Sequence, residues 1–226
     1  MAEAVLEAVG LRKSFGGVKA LDGVDIRLAK GEVVAVVGPN GSGKTTLINA
    51  LSGFVELDGG RIYLEGRDIT KLPPHKRVKL GLARSFQLPS LFWGLTVRRN
   101  VEIALASMGA DGDVKGLLDD FGLWNKRDLK VEELSEGEKK LLDVALTFAA
   151  SPKVVMLDEP TSSVGEEDKH EVMSVVMENV RRRGASAIFV EHDVNIVEEY
   201  ADRVVVMMQG RAVAILRPEE ARALAL

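Results

Sequence analysis

Residues 33–51 read VVAVVGPNGSGKTTLINAL. The valine-rich start has the composition of a buried strand, LINAL continues as a helix, and a glycine-rich turn joins them. Strand, G-x-x-x-x-G-K-T and helix, in that order, are the context a phosphate-binding loop requires. Glycine lets the backbone approach a phosphate chain and aim N–H groups at it, Lys44 brings a point charge to the outer phosphates, and Thr45 offers a hydroxyl to Mg²⁺. The candidate nucleotide-binding segment is therefore Gly38, Pro39, Asn40, Gly41, Ser42, Gly43, Lys44, Thr45 and Thr46.

Working outward, further Val/Ile-rich runs at 154–157, 187–190 and 204–208 read as buried strands separated by helical patterns. Residues 166–183 place Val172, Val175, Val176 and Val180 on one helical face, with acidic residues first and arginines last, and Gly184 ends the helix. The first 31 residues and the stretch 60–70 alternate strands and turns, which predicts a small antiparallel sheet beside the main one. Residues 96–150 are helical in pattern apart from MGADGDVKG. The expectation is a single α/β domain, 1–226: a core of 1–87 and 151–226 with a mixed or parallel sheet and an antiparallel subdomain, and an inserted helical subdomain, 88–150.

Two more strand ends carry chemistry. KVVMLDEP ends in Asp158, placed to hold Mg²⁺ through water, and Glu159, placed to orient or deprotonate an attacking water. SAIFVEHD puts His192 at the same edge of a parallel sheet, where it would meet a terminal phosphate. His75 and His170 read as surface residues.

The chain has 226 residues, 46% of them hydrophobic, enough to fill the core of such a domain. Its net charge of −4 leaves no basic footprint for nucleic acid, and the Lys/Arg clusters at 76–84 and 181–183 read as solvated faces. With no cysteine there are no disulfides and no thiolate chemistry. The longest uncharged apolar runs fall far below the roughly 20 residues that span a bilayer, so a membrane would be reached through a partner.

Residues 132–146, EELSEGEKKLLDVAL, open a helix with Ser135 and Glu138 spaced as a capping box, yet place Gly137 in its first turn. That glycine costs about 1 kcal/mol relative to alanine and asks for a reason.

With the phosphate loop, LSEGE, LDEP and EHD in this order, the chain resembles, over essentially its whole length, the ATP-binding subunits of ABC transporters. LDGVDIRLAKGEVVAVVGPNGSGKTTLINALSGF, GLARSFQLPSLFWGLTVRRNV and VEHDVNIV are most similar to those serving branched-chain amino acid importers. The resemblance implies ATP and Mg²⁺ as ligands and ATP hydrolysis as the activity. It implies Gln87 as the residue reaching Mg²⁺ and the attacking water, and Ser135 with Gly137 as the signature that closes on the ATP of a second ATPase subunit. Phe15 is either the aromatic stacked on adenine or a core residue of the small sheet.

Integral membrane subunits would be the other partners, holding the chain at the cytoplasmic face of the membrane. Leu91, Phe92 and Trp93 would meet them, unless these side chains pack the two lobes together. On this reading Gly137 leaves the helix start bare for the partner's terminal phosphate. Glu136, Glu138 and Gly165 depart from the family's commonest residues. The similar ATPases of lipopolysaccharide export, urea import and non-transport clamps share the signature.

Overall fold

Successive residues of a strand face opposite sides of its sheet. Every residue of the run VVAVV is buried, so this strand must be covered on both faces. The computed structural model describes residues 3–85, 90–109 and 112–223 and shows how that cover is built. In chain order, β1 (Ala4–Phe15) and β2 (Val18–Ala29) form a hairpin, β3 (Val33–Val37) feeds α1 (Lys44–Ser52), and β4 (Gly59–Leu64) and β5 (Arg67–Asp68) return to the hairpin. Next come α2 (Pro74–Lys79), β6 (Leu82–Arg84), the helices α3 (Val97–Met108), α4 (Val114–Asp120) and α5 (Glu136–Phe148), and β7 (Val154–Asp158). The chain continues through α6 (Glu166–Arg182), β8 (Ser186–Val190), α7 (Val194–Tyr200), β9 (Arg203–Met208) and β10 (Arg211–Leu216).

Among the described residues the core sheet has the order β10-β9-β3-β8-β7-β6, and the second sheet β2-β1-β4-β5. Strands β9, β3, β8, β7 and β6 are mutually parallel, and β10 lies antiparallel on the edge. The second sheet is antiparallel throughout. The two layers of core follow the strand period. Val33, Ala35, Val37, Leu157 and Phe189 face a cluster made with α3–α7, whereas Val34, Val36, Met156 and Ile188 face α1 and the small sheet. The buried residues of the helical segment, such as Val101, Phe121, Leu142 and Phe148, belong to the same cluster as that sheet face. Each such apolar side chain contributes about 1.5–3 kcal/mol, so the helices and the sheet stabilise each other.

The four predicted strands and the 166–183 helix are found, with Val172, Val176 and Val180 buried and Val175 at the margin. Strands β6 and β10, both on sheet edges, are additions. The basic clusters are only partly solvated. Lys76, Lys79 and residues 181–183 are exposed, but Arg77 is buried, and so is the side chain of Arg84. Arg77 Nη1 donates to the carbonyls of Ala50 (2.9 Å) and Leu51 (2.6 Å), and its Nε and Nη2 donate to Leu72 and Thr70. It is the C-terminal cap of α1, which has no basic residue of its own there. Burial pushes this guanidinium down to about 10, so it remains charged at neutral pH.

Because Arg77→Ala would remove the side-chain donor from four carbonyls, leaving the buried one of Leu51 unpaired, and would open a cavity at a buried site, it should lower unfolding free energy by about 3 kcal/mol, measured by urea denaturation.

Candidate functional site

The register of the parallel strands brings the motifs to one edge. Val36 lies opposite Val190, and Val190 opposite Asp158, so Gly38, Glu159 and His192 all emerge from the C-terminal ends of adjacent strands. This is where ligands collect in open α/β sheets. At two positions the loop passes so close to other backbone that no side chain fits. At Gly38, with φ 146°, a Cβ atom would stand 2.1 Å from the Met207 carbonyl oxygen, and at Gly43, with φ 104°, 2.4 Å from that of Ala20. Gly43 also caps α1 without a side-chain hydrogen bond, so the backbone N–H groups of the helix start face the loop unshielded.

Lys44 is 6% exposed and folds back to donate to the carbonyls of Gly38 (2.6 Å) and Pro39 (3.1 Å). Burial pulls its ammonium below the ordinary value, against the opposing attraction of Glu159 and Asp158. Ser42 Oγ is buried and has no hydrogen-bond partner among the described residues. A glycine cradle, an unshielded helix start, a buried ammonium and an orphaned hydroxyl are the donor set of a polyphosphate site.

They line a cleft of about 420 Å³ with Val18, Lys19, Ala20, Glu159, His192 and Gln209 around it. A larger groove of about 560 Å³ lies beside Arg77, but it borders no sheet C-terminal edge and none of the motif residues.

At the mouth of the smaller cleft His192 Nε2 is 3.4 Å from Glu159 Oε1. Glu159 is not a glycine, yet its φ is 51°, a strained conformation of the kind that costs about 1–3 kcal/mol and clusters at active sites. The strain is held from behind. The Glu159 carbonyl accepts from Ser162 Oγ (2.9 Å) and faces Lys140 Nζ at 3.4 Å. Glu191, also buried, accepts from Thr161 N and Oγ1 with one oxygen and from His192 N with the other. Asp158 is bound by Arg84 at 2.7 Å. The sequence motifs give no role of their own to Lys140, Glu191 or Arg84. Their partners become apparent only when the strands are aligned.

Phe15 is 50% exposed, with the Lys13 ammonium over its ring, so it is not a core residue of the small sheet. It pairs across the hairpin with Val18, which borders the cleft. Gln87 lies outside the described residues. Leu91 is buried in the main cluster, whereas Phe92 and Trp93 are exposed and therefore do not pack the helices onto the sheet. His75 and His170 are exposed, and His170 pairs with Glu199.

Ser135 and Gly137 do not line the cleft. The capping box at the start of α5 is present: Ser135 Oγ accepts from Glu138 N at 3.3 Å, and Glu138 Oε2 accepts from Ser135 N at 2.9 Å. The other oxygen of Glu138 is paired with Lys126. Burial works to raise the Glu138 carboxyl, but the hydrogen bonds from Lys126 and Ser135 outweigh it and hold it below its ordinary value. Gly137 is buried, and a methyl group on it would lie 3.4 Å from Val172 Cγ2 and 3.9 Å from Val164 Cγ1. Its bare side thus faces the chain's own α6 and the turn before it, while Ser135 and Glu136 stand at the solvent end of the helix.

Residues 21–162 match the ABC transporter family. The chain belongs to that family. The probable branched-chain amino acid transport ATP-binding protein LivG of Archaeoglobus fulgidus is 36% identical over 233 residues, covering 96% of this chain and 90% of its own. The high-affinity branched-chain amino acid transport ATP-binding protein LivG of Salmonella typhimurium is 30% identical, covering 98% and 95%. A solved ATP-binding cassette of an ABC transporter, in its ADP conformation, superposes with a TM-score of 0.89 at 33% identity, over 98% of this chain and 96% of that one.

This member of the ABC transporter family is a nucleotide-binding ATPase subunit, and its fold is that of the family's cassettes. No helix among its described residues is long and apolar enough to cross a membrane.

The pairing of Glu138 sets a pH dependence. Its folded value lies below the ordinary one near 4.5, so its contribution is full above that pH and is lost as the pH falls through the lowered value. The parent's advantage over Glu138→Gln, about 1 kcal/mol at pH 7, should vanish in acid when unfolding is followed at both pH values.

Proposed function

We propose that this chain powers the import of branched-chain amino acids, through ATP-driven head-to-tail closure of two ATPase subunits on a pair of membrane subunits. The cargo rests on the names of the relatives reported above. The observation that carries the closure is the separation of the motifs. The phosphate loop, Glu159 and His192 share a cleft, while the capped start of α5 with Ser135 stands outside it and is left to face the nucleotide of another copy. The chain would then sit at the cytoplasmic face of the membrane through its partners, with residues 88–150 as the helical subdomain that carries the signature.

In this mechanism the backbone N–H groups of the loop and α1 bind the phosphate chain, and Ser42 Oγ gains the partner it lacks. Lys44 exchanges the carbonyls of Gly38 and Pro39 for phosphate oxygens, and Phe15 stacks on the base beside Val18. Glu159, held in its strained backbone geometry, takes the proton of the attacking water, and His192 orients against both it and the terminal phosphate. Gln87 is assigned to the same water. Among the described residues no group of three or more His, Cys, Asp or Glu could hold a metal alone. Mg²⁺ would be held by Thr45, which lines the cleft, by Asp158 and by the nucleotide's own oxygens, because that ion keeps several waters and one or two carboxylates. When bound, it neutralises charge on the transferring phosphate.

From the second copy, Ser135 can accept its cap bond and still donate its hydroxyl proton to a phosphate oxygen. Attraction between that helix start and the terminal phosphate lasts only until hydrolysis, so the dimer opens afterwards. Phe92 and Trp93, exposed beside the segment that carries Gln87, form the surface offered to a membrane subunit.

Glu159→Gln should bind ATP like the parent while steady-state phosphate release falls at least about 100-fold; turnover at the parent rate would remove Glu159 from its role. Trp93→Ala should keep the ATPase rate of the isolated chain within about twofold and weaken binding to the cognate membrane subunit by about thirtyfold. Equal loss of both would count against the docking surface.

A further inference from the structure

Arg84, the last residue of β6, is read from sequence only as part of a basic stretch, yet its guanidinium is enclosed in a polar cluster next to Asp158. Its Nη2 donates to Asp158 Oδ2 at 2.7 Å, with the two side chains 7% and 3% exposed. Its Nη1 donates to Asn49 Oδ1 and, at 3.3 Å, to Ser52 Oγ, both on α1. The Phe54 ring lies 5.7 Å from the guanidinium carbon. One side chain therefore ties β7 to the helix that begins at the phosphate loop.

The orientation of Asp158 follows from this. Glu159 lines the cleft, but Asp158, one residue earlier, does not. The carboxylate assigned above to the metal is turned into the protein against a fixed cation. A divalent ion and a guanidinium at one carboxylate repel each other, and the repulsion is poorly screened at a site as buried as this one.

We propose that Arg84 is a positioning residue that serves as the counter-charge of Asp158 when no metal is bound, and that Mg²⁺ arriving with nucleotide competes with it for this carboxylate. The inference rests on the assignment of Asp158 to the metal. Arg84 then has two effects of opposite sign. It keeps Asp158 ordered between turnovers, and it makes the metal-dependent part of nucleotide binding weaker than a neutral side chain would allow. Release of the metal with product is correspondingly easier, because Asp158 has a partner to return to.

The test uses the full chain and a fluorescent ribose-labelled ATP, titrated in EDTA and over a range of Mg²⁺ concentrations. Arg84→Gln should lower the thermal unfolding midpoint of the nucleotide-free protein, leave affinity in EDTA within about twofold, and increase the Mg²⁺-dependent gain in affinity by about fivefold or more. Its midpoint should also rise further than the parent's on adding Mg²⁺ with ATP. If Arg84→Gln does not fold, Arg84→Lys keeps the charge but loses the fork to Asn49 and Asp158, and it should show the same changes at smaller size.

Asp158→Asn separates the two ideas. If it retains the parent's Mg²⁺ dependence, the metal assignment fails. If it abolishes that dependence while Arg84→Gln reduces the gain or leaves it unchanged, the metal assignment stands and the competition by Arg84 is overturned.

Discussion

The Met207 carbonyl stands where a side chain at residue 38 would have to go, with only 2.1 Å between them. That approach between the phosphate loop and β9 is the constraint on which the rest depends. It requires β9 to lie beside β3, as the register of Val37 against Val206 shows, and it goes with a tight turn in which Ser42 N donates to the Pro39 carbonyl at 3.1 Å. Lys44 folds back onto the carbonyls of Gly38 and Pro39, and burial pulls its ammonium below the ordinary value. Glycine at 38 and 43 is therefore demanded by the chain's own backbone as much as by a ligand.

Two carboxylates are each paired with a cation from another element: Asp158 of β7 meets Arg84 of β6, and Glu138 of α5 meets Lys126, while Glu159 faces His192 Nε2 at 3.4 Å. Buried or half-buried carboxylates without such partners would be costly, and with them they are held in fixed positions ready for chemistry. The Glu138–Lys126 pair also gives a physical account of one of the residues noted above as a departure. The charge at the start of α5 is compensated within the chain, leaving Ser135 to present a hydroxyl and not a net negative charge to the front of the helix.

The helical segment shares one apolar cluster with a face of the core sheet, so α5 reaches from solvent at Ser135 to the neighbourhood of Glu159 through Lys140. One end of this helix is exposed, and its second turn touches the backbone of Glu159. Gly137 faces Val164 and Val172, close to the start of α6, at distances where a methyl group would make ordinary van der Waals contact. A single helix thus joins the exposed Ser135 to the backbone behind the cleft.

Much of this was legible in the sequence by itself. The parallel core, the small antiparallel sheet, the phosphate loop, the carboxylate pair after β7 and the capping box of α5 are local patterns, set by strand period, glycine placement and capping chemistry. What tertiary structure alone decided is which charges meet. Arg77 and Arg84 look like members of a solvated basic stretch, because composition cannot tell a guanidinium that caps α1 from one that faces water. Lys140 and Glu191 are ordinary helix and loop residues until β3, β7 and β8 align their ends. The direction of Gly137, toward α6 and not toward the front of its helix, also follows from packing between distant segments. Hydrophobic and backbone preferences act over a few residues and are written along the chain, whereas the partner of a buried charge is set by the register of strands far apart in sequence.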